Sequence, residues 1–298
     1  MQTVSLGILS SLFFAVTFIL NRLMAVTGDS FIWSASLRYV FMIPLLWPLV
    51  YFRGGIVTMW NEMMKNPWSW MVWSTVGFGL FYIPLCFASS YSPAWLVAGT
   101  WQFTIIAGSL LAPIFRKKLP LRGLFFSFII VVGIMLMEWD QVTRVTLEDT
   151  LCGVLPLLLA SFAYPLGNRK MMELCAGRLN AYQRVLGMTL ASLPLWMIMS
   201  IIGFFTVGAP SKTQILQTFL VAICSGVVAT VLFFSATDRT KGDVHRLATV
   251  EATQSGEVVF TLLLGWLILR EQVPSGLAIT GIIVVIVGMV LHSFLVHT

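Results

Sequence analysis

Apolar positions along the chain gather into ten stretches of helical length, separated by short polar breaks. They lie near residues 3–24, 31–52, 68–90, 94–115, 122–138, 151–168, 181–205, 214–236, 246–269 and 275–296. A hydrocarbon core about 30 Å thick needs about 20 apolar residues per helical span. The pattern therefore predicts an all-α membrane protein of ten transmembrane helices, with almost nothing left for a soluble domain. The longest connection reads GGIVTMWNEMMKNPW. Its Met, Trp and charged residues predict a strip at headgroup level, after which Asn66 and Pro67 suit the cap and first turn of the third span. No basic residue precedes the first stretch and no small-residue cleavage site follows it, so it reads as a retained helix.

The halves resemble one another. An offset of 146 lays Gly7 on Gly153, Arg38 on Arg184 and Pro48 on Pro194. Further on, FRKKLP at 115–120 overlies LREQVP at 269–274, and VVGIML at 131–136 overlies IVGMVL at 286–291. Five spans per copy is an odd number, so the second copy enters the membrane from the opposite side. The expected architecture is two inverted five-helix repeats, 1–139 and 140–298, in one membrane domain. Such a pair can present one packing arrangement alternately to either side.

Composition agrees with the pattern. Hydrophobic residues make up 58% and charged residues 10%, against about 25% charged in soluble domains. The net charge of +6 reports orientation rather than nucleic-acid binding, because Lys and Arg concentrate on cytoplasmic loops. With the N-terminus inside, inner connections hold twelve basic residues and outer ones four. This places both termini in the cytoplasm of a multi-pass protein of the cell (inner) membrane. Cys86, Cys152, Cys175 and Cys224 have no spacing that suggests metal ligation or a disulfide framework. A zinc-protease histidine pair, a phosphate-binding glycine loop and a Gly-x-Ser-x-Gly elbow are all missing, and His245, His292 and His297 fall in a loop or at the C-terminal end. No enzyme activity, cofactor or metal is expected, and this chain carries no ATPase engine.

Polar residues inside the apolar stretches carry the candidate chemistry. In VEATQSGEVVFTLLLGW, residues 250–266, Glu257 falls at the midpoint of the ninth span and Glu251 about 9 Å nearer the cytoplasm at 1.5 Å per residue. A charge at the bilayer centre costs about 2.5–3.5 kcal/mol, so these groups should face protein or water. Glu251, Gln254 and Glu257 step by three, and Thr253, Glu257 and Thr261 step by four, giving one winding polar stripe. Gln102 overlies Gln254 at an offset of 152, and Trp101 beside it offers an aromatic wall. Two readings stand for the glutamates: a proton carrier or partner for a cationic substrate, or a structural counter-charge for Arg38 or Arg184. Arg38 and Arg184, near their helix starts, read as structural, able to reach the interface. Asn21, Tyr82 and Tyr164 are candidate cavity-lining residues. Gly281 and Gly288 read as marks of close helix packing, and the intrahelical prolines as bends.

At this point the chain resembles the drug/metabolite transporter superfamily over essentially its whole length. The stretch VEATQSGEVVFTLLLGWLILREQVPSG is most similar to that superfamily's multidrug resistance efflux branch. The resemblance implies ten helices from an inverted repeat and a secondary transporter that exports small organic molecules, with protons as a candidate coupling ion. Small multidrug resistance relatives rely on a glutamate in their first span; here that span, SLGILSSLFFAVTFIL, has none. Amino-acid or metabolite export remains open, as does a non-transporting membrane scaffold or sensor. The expected partners are a small-molecule substrate and the lipid bilayer, with the oligomeric state open.

Overall fold

Side-chain caps set where the helices begin. Ser30, Thr146 and Ser211 each accept a hydrogen bond from a backbone N–H in the first turn they precede, and Asn180 with Gln183 forms a reciprocal capping box, which satisfies donors that a helix start leaves unpaired. The computed structural model describes residues 2–115, 121–142, 146–240, 250 and 253–295, with the side chains of 128–139 within 121–142 and those up to 291 in the last helix. Among the described residues the regular structure is entirely helical. In chain order the helices are α1 (Gln2–Val26), α2 (Phe31–Tyr51), α3 (Ile56–Lys65), α4 (Pro67–Ala88), α5 (Ala94–Leu110), α6 (Leu121–Val142), α7 (Leu147–Cys175), α8 (Ala181–Ala191), α9 (Leu193–Val207), α10 (Lys212–Asp238), α11 (Ser255–Leu269) and α12 (Gly276–Leu295).

Five of these, α1, α2, α4, α7 and α10, are long and apolar enough to cross a membrane. The pair α8 and α9, bent by 47° at Ser192, passes the same test only when the two are taken together. The protein is thus an all-helical membrane protein. The short α3 lies between two of the long helices, burying Met59 and Met63 while Val57, Trp60 and Met64 stay exposed.

The bundle is apolar outside and partly polar inside. Leu151, Leu155 and Leu159 on α7 and Ile198, Ile201, Ile202 and Phe205 on α9 are exposed, whereas Ser10, Ser11, Thr17 and Asn21 on α1 are buried. That is the inverse of a soluble helix, and it suits a lipid solvent. In the interior α1 packs on α10 and α11, α4 and α5 on α7, and α2 on α8, α9 and α10. To one side α6 and α12 pack along their length. Glycines make that contact: a Cβ on Gly281 would lie 2.7 Å from the Gly133 carbonyl oxygen, and one on Gly288 2.9 Å from the Ile130 nitrogen.

Five helices depart from the expected course. α7 continues past residue 168 to Cys175, so Arg169 and Lys170 belong to a helix rather than a loop. Two interior stretches widen to π-helical turns, Thr75–Gly79 in α4 and Ala222–Ala229 in α10. In α5 the backbone tightens at Gln102, whose N–H bonds Gly99 and whose carbonyl accepts from Ile105, both three residues away. The chain entering α11 does the same: Thr253 bonds Val250, Gly256 bonds Thr253 and Glu257 bonds Gln254. The two glutamines that overlie one another in the sequence thus both sit at helix interruptions.

Candidate functional site

The interruption before α11 places Glu257 in the first turn of a helix rather than in the middle of a continuous one, and the positive end of the helix dipole favours a carboxylate there. Its side chain is 2% exposed and faces a cavity of about 210 Å³. Small side chains allow this approach. A Cβ on Gly256 would come within 2.6 Å of Ser11 Oγ, and one on Gly7 within 2.3 Å of Thr253 Oγ1, so α1 lies tight against the start of α11.

Helices from both halves of the chain build the walls: α1, α2, α4 and α5 from the first, α7, α10 and α11 from the second. Gln102 is the side-chain neighbour of the Glu257 carboxyl, and its own Nε2 donates to the Ala98 carbonyl at 3.0 Å. The aromatic wall is a mutual triad: Phe81 lies 4.9 Å from both Trp101 and Tyr164, which meet edge to face at 5.5 Å. Tyr164 is within electrostatic range of both Glu257 and Arg38.

Arg38 departs from its expected role. Instead of reaching an interface it is 4% exposed and lines the cavity. Its Nη2 donates to Ser225 Oγ at 3.0 Å and its guanidinium lies 4.1 Å from the centre of the Tyr82 ring, a cation–π contact. Tyr82 and Asn21, expected on a cavity wall, are absent from it. They stand behind Arg38 as a buried pair, Tyr82 donating to Asn21 Oδ1 at 3.2 Å. Tyr39 completes that support, stacked at 4.3 Å on Trp196.

Arg184 is also absent from the cavity wall. It lies 3.5 Å from Asp238 and over the Phe234 ring at 4.5 Å, joining α8 to α10. No ion pair joins Glu257 to either arginine among the described residues, so the counter-charge reading loses its geometry there. Glu251 lies outside the described residues. The structure therefore gathers Glu257, Gln254, Gln102, Trp101, Tyr164 and Arg38 around one space and leaves Asn21, Tyr82 and Arg184 behind it.

Sequence reasoning missed several wall residues. Asn168 follows Gly167 where the span was expected to end, beside Tyr164, and among the described residues its two polar side-chain atoms are buried without a well-formed hydrogen bond. Thr17 Oγ1, Arg38 Nε, Gln102 Oε1 and Gln254 Nε2 are likewise unpartnered. Buried polar groups are nearly always hydrogen-bonded, so a set of them converging on one cavity marks a place for a polar ligand or water. Arg169, counted as a loop charge, bonds the Gly108 carbonyl at one end of the same space. The signal for these residues was faint: a Gly-Asn-Arg-Lys run at a helix end reads first as solvent-facing.

Comparison with known proteins bears on the whole chain. A family model described as "EmrE: Putative multidrug resistance efflux transporter" matches residues 1–298. The chain is 49% identical over 307 aligned positions to "Uncharacterized protein YjlA" of Bacillus subtilis (strain 168), covering 99% of this chain and 95% of that one. It is 47% identical over 267 positions to "Uncharacterized 42.1 kDa protein in intracellular alkaline protease 3'region" of Shouchella clausii, covering 86% of this chain and 70% of that one. With the membrane-type bundle, the cavity shared by its two halves and a family match from the first residue to the last, this chain belongs to the EmrE-type multidrug resistance efflux transporter family of the drug/metabolite transporter superfamily.

Proposed function

We propose that the protein is a secondary transporter that exports small organic molecules by alternating access, with the cavity as its binding site and Glu257 as the group that exchanges a proton for substrate. The observation that carries this reading is the buried Glu257 on a cavity walled by both halves of the chain. A proton carrier must be shielded from bulk water yet reachable by substrate, and intramembrane ionisable groups characteristically mark such paths.

The remaining helices complete ten spans as two inverted repeats. Exchanging the helices of 1–139 with their counterparts in 140–298 carries α1 packed on α10 and α11 into α7 packed on α4 and α5. The same exchange carries the π-helical turn of α4 onto that of α10 and Gln102 onto Gln254. Both termini lie in the cytoplasm of the cell membrane. In that orientation the cavity runs from mid-depth toward the inner helix ends that carry Arg169 and Thr237. At the outer ends, Glu271 accepts the Ala94 N–H at 2.9 Å and lies 3.9 Å from Arg22, which bonds the Ser89 carbonyl. A cavity reaching toward the inner ends while the outer ends are tied suits one of the two states that alternating access requires.

A transport screen in proteoliposomes over dye-like cations, amino acids and nucleosides tests this, read as substrate-dependent proton movement. At least one class moves protons with wild type and none does with a folded Glu257→Gln variant. Proton movement unchanged in that variant contradicts the proton role, and silence across all classes contradicts proton-coupled transport.

A further inference from the structure

Three charged residues line the cavity: Arg169 is tied to the Gly108 carbonyl, while Glu257 and Arg38, of opposite sign, do not touch. Glu257 lies beside Gln102 on one part of the wall, and Arg38 lies against Ser225 and Tyr82 on another. Both side chains are more than nine-tenths buried. Arg38 has no carboxylate within ion-pair distance among the described residues, and its Nε has no hydrogen-bond partner. Removing a guanidinium from water is costly unless a counter-charge and hydrogen bonds replace the lost hydration. Serine and the Tyr82 ring replace part of it. A planar fork with a donor to spare matches a carboxylate.

A substrate bearing only a positive charge satisfies Glu257 and meets repulsion from Arg38. One bearing only a negative charge has the converse difficulty. Tyr164, in electrostatic range of both groups, lines the same cavity with its partners Trp101 and Phe81, a surface for a flat apolar body. We infer that the preferred substrates are zwitterions with an apolar or aromatic flank, whose carboxylate seats on Arg38 and whose cationic centre seats at Glu257. This deepens the proposed function and rests on its assignment of the cavity as the binding site. Arg38 becomes a specificity-determining residue for export.

Calorimetric titration of the purified full chain in detergent separates the possibilities, using phenylalanine as the zwitterion, phenethyltrimethylammonium as the cation, N-acetylphenylalanine as the anion and tetraphenylphosphonium as a bulky cation. The zwitterion binds wild type at least tenfold more tightly than either singly charged analogue. Arg38→Gln lowers its affinity to that of the cation, and Glu257→Gln to that of the anion. Arg38→Lys, which keeps the charge and loses the fork, lowers zwitterion affinity while leaving cation affinity unchanged, and it serves should Arg38→Gln elute as aggregate. Cation binding as tight as zwitterion binding, or a ratio unmoved in both Arg38 variants, overturns the inference while the cavity assignment survives. Absence of binding by all four probes overturns both.

Discussion

Glu62 shows how one carboxylate organises a membrane surface. It sits on α3 and accepts from both Lys65 on its own helix and Arg178, at 2.8 Å, in the turn between α7 and α8. The hydrogen bonds from Lys65 and then Arg178 hold its carboxyl below the usual carboxylate range. A lowered carboxylate contributes order above its unperturbed value near 4.5 and loses it as pH falls through the lowered one. Amide exchange in α3 therefore speeds up as pH is lowered below about 4.5, after correction for the intrinsic rate, and Glu62→Gln abolishes that extra acid sensitivity. An identical pH profile in the variant contradicts the clamp. At the same scale, Arg38 and Glu257 are set by their surroundings rather than by depth alone. The sequence places both inside apolar stretches, but it does not say that Arg38 would turn inward onto a tyrosine, because snorkelling and burial are equally open to a long side chain near a helix start.

Among the elements, the pair α6 and α12 carries the plainest link from sequence to packing. Gly133, Gly281 and Gly288 let two backbones approach closely, and a Cβ on Gly133 would lie 2.8 Å from the Gly281 carbonyl oxygen. Gly281→Ala forces these helices apart and costs about 1–3 kcal/mol, the range for overpacking a close contact. Thermal unfolding in detergent reads this as a lowered transition temperature, while Gly276→Ala, which meets nothing within 4 Å, leaves it nearly unchanged. Equal transition temperatures for the two variants contradict the packing account. The glycines of α12 were legible as close contacts. The interruptions at Gln102 and Gln254 were not, since no proline marks them and a glycine nearby is common in membrane helices, and what shows there is a local tightening to three-residue hydrogen bonds. That tightening moves Glu257 from the middle of an expected helix to the first turn of a shorter one.

For the whole molecule, hydrophobic period and length made the membrane class and the order of the helices readable, because a lipid solvent leaves few alternatives to helices with internally paired backbones. The pocket was less readable, because it is assembled from seven helices and depends on which face each one turns inward. Arg169 illustrates this: it enters the wall from the part of α7 that extends past the expected end to Cys175. Orientation is the remaining property of the molecule as a whole. In a cysteine-free background, cysteine at Gly177 reacts with a membrane-impermeant maleimide only after cells are opened, whereas cysteine at Ser211 reacts on intact cells. The reverse pattern contradicts the proposed topology and the cavity's reach toward the inner ends.

The central claim is that a carboxylate enclosed by both halves of the bundle couples proton movement to substrate export. Its most direct test is the internal pH of proteoliposomes on addition of a transported substrate, compared between wild type and Glu257→Gln of equal monodispersity and thermal stability. A substrate-dependent pH change in wild type that vanishes in the variant is the predicted result; the same change in both contradicts the account.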